Sequence, residues 1–328
     1  MRAGDETDIA VPPGGPHGGQ SGGTRTAARR RRSIVGSVLG LALTAAAVWV
    51  VVVNTDALAT VRGAMSALAW WAVVLLLVLP AINWWISAVS LWILTQRFGR
   101  VGLREMTALT AAGWLLNYLP LRPGMMGRIA YHKVRNGVLV RDSVRVLIES
   151  SAMSAIGALL LIGIGLLARR EALGPGALAL LVVPFVALPL AAGLCRGATA
   201  RAMLLGGLCR WLDLLLWTAR YLIVLPAVGI DADAAQAAVV GAVSQAALLV
   251  PISGNGLGVR EWAVGLALGA SGEAIELALA ADLLNRAAEL LIVIPIGLIG
   301  VGVSAAMIRR SKQPDARVRA PQPESDAP

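Results

Sequence analysis

The chain has 328 residues, of which 57% are hydrophobic and only 15% charged, with a mean hydropathy of +0.72. No soluble domain has room to bury so much apolar surface, so lipid must be the solvent for most of it. The formal charge of +10 would suggest nucleic acid in a soluble protein, but the basic residues lie in tails and short loops between apolar runs, where an anionic membrane leaflet is the better partner.

Residues 1–33 are rich in Gly, Pro and Arg, show no apolar period, and are expected to form a disordered basic tail. The run from Ile34 to Val53 is about 20 residues, a full span and too long for a typical signal-peptide core, so it reads as an uncleaved first transmembrane helix. Further full spans are predicted at Leu68 to Leu94, Val146 to Ala168, Gly176 to Leu194, Met203 to Val228 and Leu283 to Met307. Two apolar pieces, Met106 to Leu119 and Ala234 to Val250, are short for a crossing, and Trp262 to Ala270 is shorter still. A polar, Pro-containing tail, 309–328, is expected to be disordered and cytoplasmic. Two cysteines and two histidines are too few for a zinc site or a disulfide framework, so no metal or cofactor is expected.

The two short pieces end alike. The first runs into Asn117-Tyr118-Leu119-Pro120-Leu121-Arg122-Pro123-Gly124, with Gly127 and Arg128 close behind. The second runs into Pro251-Ile252-Ser253-Gly254-Asn255-Gly256-Leu257-Gly258, with Arg260 and Glu261 next. Pro and Gly stop a helix, and Arg is costly in hydrocarbon. Matched interrupted segments in two halves of a membrane protein point to a substrate site near the midplane.

The positive-inside rule favours re-entrant pieces. If each broken piece leaves on the side it entered, the clusters around Arg97–Arg104, Lys133–Arg145 and Arg196–Arg201 share one side with both termini, and only Arg169-Arg170 goes the wrong way. The expected fold is therefore an all-α polytopic membrane protein with six full spans and two re-entrant helical hairpins, about eight apolar elements. Its integral membrane domain, 34–308, is expected to be an inverted repeat of about 34–170 and 174–308, in a cell membrane with both termini cytoplasmic.

Residue types at the breaks suggest chemistry. The arms resuming after Gly124 and Gly258 would aim helix N-termini inward, where backbone NH groups favour an anion such as phosphate. Arg122, Arg128 and Arg260 add formal charge, and Asn117, Asn255 and Glu261 complete a candidate substrate-binding set. Snorkelling is the competing reading for Arg122 and Arg128, and pairing with Glu261 for Arg260. Pro120, Gly124, Pro251, Gly256 and Gly258 are the candidate helix-break residues. Glu149 and Glu289 sit about one turn into predicted helices, where a carboxylate usually faces a cavity or a partner. They are candidates for balancing a cationic head group or coupling to protons. Local pairing of Glu289 with Arg286, and of Asp213 with Arg210, both at i, i+3, is the structural alternative. Asn83, Ser87 and Ser90 share one helical face, and Ser244 and Gln245 precede the second break. They either line a polar path or bond helix to helix.

The stretch Asn117 to Gly137 resembles the flippase-like family that includes the transmembrane region of lysylphosphatidylglycerol synthases, and Gly256-Leu257-Gly258-Val259-Arg260-Glu261 is similar to that family's second signature. The resemblance covers roughly residues 34–307. It implies a membrane protein handling lipids with phosphate-bearing or lipid-linked head groups. Only a short polar tail follows Met307, with no aminoacyl-transferase domain, so lipid synthesis is not carried over and no enzyme activity is expected. The resulting expectation is a lipid translocase. The alternative is a non-catalytic membrane partner of a separate glycosyltransferase or lipid synthase, docking through the basic segment Arg128 to Arg145. An intramembrane transferase is the weakest reading, because no metal-ligand cluster or nucleophile–base pair is recognisable.

Overall fold

A computed structural model describes Val35, 38–39, 41–119, 122–170, 176–250 and 254–312. The expected tail 1–33, residues 313–328 of the expected tail 309–328, and Pro120 and Pro251 of the breaks lie outside the described residues, while residues 309–312, expected to be disordered, continue the last helix. All regular structure among the described residues is helical: α1 (Leu41–Val53), α2 (Thr55–Ser66), α3 (Trp70–Thr95), α4 (Leu103–Leu116), α5 (Pro123–Arg135), α6 (Val140–Arg169), α7 (Gly176–Leu194), α8 (Ala198–Ala227), α9 (Ala234–Leu249), a 3₁₀ turn at Gly254–Gly256, α10 (Val259–Gly269) and α11 (Ile275–Lys312).

Four of these helices, α3, α6, α8 and α11, are long and apolar enough to cross a bilayer, and the bent pair α1–α2 makes a fifth if counted as one span. Their outward faces carry large apolar side chains such as Trp70, Leu159 and Leu298, each more than half exposed. Such surface is compatible with lipid and unsuited to water. The short pieces fall as their lengths require. α4 has 14 residues and α5 has 13, so at 1.5 Å per residue each covers about 20 Å, less than a hydrocarbon core of about 30 Å.

The predicted first span ends where α1 ends, and a helix that hydropathy did not predict follows it. α1 ends at Val53, and α2 leaves it at 86°. Asn54 makes the corner: its backbone is extended and its side chain accepts a hydrogen bond from the Ala57 amide at 2.9 Å, capping α2. An Asn cap of this kind starts a new helix instead of prolonging the old one. The sixth predicted span is longer than hydropathy alone gave. α11 begins at Ile275, because Asp282 lies inside it with its charge compensated by neighbouring helices.

Packing places the central helices in matched relationships. α3 crosses α8, α4 lies along α11, and α9 lies along α6. The contacts α3–α4, α5–α6, α4–α5 and α3–α6 have counterparts in α8–α9, α10–α11, α9–α10 and α8–α11. Small residues let the two long pairs approach. A Cβ on Gly300 of α11 would lie 2.7 Å from the Ala108 carbonyl oxygen of α4, and one on Gly165 of α6 would lie 2.9 Å from the Ala235 carbonyl oxygen of α9. Close backbone contact of this kind is a usual means of helix association where water provides no driving force.

Candidate functional site

The two breaks meet. A Cβ on Gly254 would sit 2.8 Å from the Tyr118 carbonyl oxygen and 3.1 Å from that of Asn117. Arg122 Nη2 donates to the Val250 carbonyl oxygen at the end of α9, 3.2 Å away, and the Tyr118 hydroxyl donates to Glu289 Oε1 at 3.1 Å. The tips of the α4–α5 and α9–α10 hairpins are thus in direct contact. Each tip carries a non-glycine residue in the left-handed region, Arg122 at φ 48° and Asn255 at φ 46°. That conformation costs an L-residue roughly 1–2 kcal/mol, so both tips are held by their surroundings. Gly256 and Gly258, with φ of 67° and 77°, carry the rest of the second turn without that penalty.

Around the second hairpin the charges close on one another. Arg260 is fully buried and bonds Asp282 Oδ2 at 2.9 Å and Glu289 Oε2 at 3.0 Å. Arg220, also fully buried, reaches the same Glu289 oxygen at 3.2 Å and Asn285 Oδ1 at 2.9 Å. The Tyr221 hydroxyl donates to Asp282. Arg286 pairs with Glu261 at 2.5 Å and donates to the carbonyls of Asn255 and Gly256. The guanidinium carbons of Arg220 and Arg260 lie 4.1 and 5.3 Å from the Trp217 ring centroid, adding cation–π attraction. Three arginines here face three carboxylates. Arg260, Glu261 and Glu289 are therefore brought together, each with a protein partner. The expected Glu289–Arg286 pair does not form, because Arg220 and Arg260 take Glu289 from neighbouring helices.

Around the first hairpin the arrangement is open. A polar cavity of ≈ 200 Å³ lies between α3, α4, α5, α6 and α8, with Ser87, Asn117, Arg128, Ser150 and Arg210 in its wall. Arg210 donates to Ser90 Oγ and Ser87 Oγ, both at 3.2 Å, and lies 3.5 Å from Asp213, the expected i, i+3 pair. Asp213 is further occupied by Asn83 at 2.9 Å and Gln245 at 3.3 Å. The Asn83–Ser87–Ser90 face thus bonds helix to helix, and Ser87 also lines the cavity. Arg128 is half-buried and has no hydrogen bond or carboxylate partner among the described residues. The cavity wall therefore carries one cation more than it balances.

Other predicted residues have definite places. Asn117 lines the cavity, and its Oδ1 accepts from the Met125 amide at 3.1 Å, so one of the N-terminal donors of α5 is already satisfied. Gly124 packs against Gly113, where a Cβ would be 2.3 Å from the Gly113 carbonyl oxygen. Glu149 is not in the cavity wall. It is held by Arg97 and by Arg145 at 2.9 Å, beside the Phe98 ring, while its neighbours Ser150 and Ser151 face the cavity. Sequence reading missed Arg220, Asp282 and Tyr221. The signal for two of them was periodic: Arg210, Asp213, Trp217 and Arg220 follow one stripe of α8, and Asp282, Asn285, Arg286 and Glu289 one stripe of α11.

No protein-family model, curated protein or solved structure matches this chain.

Proposed function

We propose that this protein is a membrane lipid translocase of the flippase-like kind, binding a phosphate-bearing head group in the polar cavity of the first hairpin. One observation carries the reading: Arg128, without a carboxylate partner among the described residues, lines both a polar cavity of ≈ 200 Å³ and an apolar groove of ≈ 450 Å³. A half-buried cation without an anion is poorly compensated, and a forked guanidinium suits phosphate oxygens. Arg210, the serines and Asn117 supply further polar contacts to the same space. Arg122 serves the tip contact and Arg260 the charge cluster in this state.

The matched contacts of the two halves, the paired tips and the paired left-handed residues support an inverted repeat with two re-entrant hairpins, and six crossings with cytoplasmic termini are proposed with it from the placement of the basic loops. In such a repeat, one hairpin side open and the other shut is the asymmetry that alternating access requires. The first side holds a polar cavity and the second is filled by its own charge pairs. Glu289 then acts as an internal stand-in for the lipid anion at Arg220 and Arg260, and its release is the step at which protons could couple.

Purified protein in liposomes with fluorescent anionic lipid tests the reading. Head-group-dependent movement between leaflets is expected, falling at least tenfold in Arg128→Ala and partly restored in Arg128→Lys. Movement indifferent to Arg128→Ala in a folded variant overturns it. The exposed basic side chains of α5 and α6, with Arg141 at 82% exposure, favour the partner-docking alternative. That alternative gains if no lipid moves and the protein retains a bound transferase.

A further inference from the structure

The groove beside Arg128 is lined on three sides by α4, α5 and α11 and is almost wholly apolar, with Leu109, Leu116, Val134, Val301 and Ile308 along it. Gly113, Gly124 and Arg128 line both this groove and the polar cavity, so the two spaces adjoin at the cation. We propose that the groove is a binding slot for one hydrocarbon chain of the same lipid whose head group occupies the polar cavity. The inference rests on the proposed function and goes beyond it, since it takes a chain out of the bilayer and onto the protein.

Three features define the slot. Gly127 lies in the interior of α5, where glycine costs about 1 kcal/mol relative to alanine. A Cβ there would meet nothing within 4 Å, so no packing contact accounts for the glycine, and its missing side chain widens the groove. At the far end the two walls are tied together. Arg135 Nη1 donates to the Met307 carbonyl oxygen at 2.6 Å and the Tyr131 hydroxyl to Met307 Sδ at 3.5 Å, tying α5 to α11. Between Gly124 and Arg135 the slot runs about 16 Å along α5 at the helical rise. The near end carries Arg128, which has no carboxylate partner among the described residues. Apolar walls that meet a cation without a carboxylate among the described residues match an anionic amphiphile with its head group at Arg128, whereas Arg135, at the other end, is answered by Glu105 at 3.3 Å. Inorganic phosphate would use the polar cavity alone.

The test uses full-length protein in nanodiscs and a phosphatidic acid with a diazirine in one acyl chain. Photolysis is expected to label the α5 segment around Gly127–Val134 and the α11 segment around Val301–Ile308. Gly127→Leu, or Ala130→Leu one turn on, should fill the slot, abolish that labelling and weaken long-chain lipid binding at least tenfold. Inorganic phosphate should still compete for the polar cavity with unchanged affinity. Arg128→Ala should lose both ligands. Labelling that persists in both leucine variants, or that spreads evenly over the lipid-facing helices, overturns the slot and leaves the head-group reading intact. Phosphate and lipid binding that ignore Arg128→Ala overturn the head-group reading itself. Thermal midpoints of the two leucine variants distinguish a filled slot from a damaged fold, and a slot variant counts only with the wild-type midpoint.

Discussion

The two hairpins share a plan and differ in how their arginines are answered. Arg260, on the second, is enclosed with Asp282 and Glu289, and no part of it is exposed. Arg128, on the first, faces a cavity and has no carboxylate among the described residues. The difference shows that an arginine next to a helix break has no fixed role. What decides it is whether neighbouring helices bring acids to it. α11 supplies acids to the second hairpin. α6, in the corresponding place, turns Glu149 away to Arg97 and Arg145 and presents serines.

The largest expected effect comes from breaking the closed side. Arg260→Ala leaves buried carboxylates without their cation, and removing one partner of a buried pair costs about 3–5 kcal/mol. Thermal unfolding in detergent should show a large fall in midpoint. Arg128→Ala should leave it nearly unchanged, within about 0.5 kcal/mol. Equal falls in the two variants would erase the contrast between the hairpins.

A charge graft sharpens the comparison from the other direction. Ser151→Asp places a carboxylate in the first cavity, making it resemble the second. The variant should fold as stably as wild type and lose at least tenfold in affinity for anionic lipid, about 1.4 kcal/mol. A midpoint that drops while lipid binding persists would show that Arg128 does not meet the new acid.

The smallest effect belongs to the tip. Arg122→Gly removes a left-handed strain of about 1–2 kcal/mol and a hydrogen bond to Val250 of about 1 kcal/mol. Stability should change little, while hydrogen exchange at the ends of α9 and α5 should quicken as the tips separate. Unaltered exchange would mean that Arg122 does not hold them together.

Much of this was legible before any coordinates. Length and hydropathy located α3, α6, α7, α8 and α11, and the Pro-Gly punctuation marked both breaks. The corner at Asn54 was harder to see, since an Asn-Thr-Asp cap following an apolar run looks like the ordinary end of a span. Local spacing offered Arg210 as a partner for Asp213, and that pair forms, because helical neighbours are fixed by chain geometry. The Arg286 it offered as an alternative partner for Glu289 is displaced by Arg220, 69 positions away, and by Arg260, 29 positions away. The solitude of Arg128 is likewise a long-range property: it depends on what five helices fail to bring near, and no window of sequence contains that.

The neutrality of the second cluster has an electrical consequence. Moving one elementary charge through a membrane potential of 100 mV involves about 2.3 kcal/mol. A block of three arginines and three carboxylates that shifts as a unit carries no net charge and does no such work. Arg128, moving with the first hairpin, does carry one until an anion joins it. On the proposed lipid-translocase reading, voltage would bear on the first hairpin while it is empty, release its hold once a lipid phosphate is bound, and leave the second hairpin indifferent throughout.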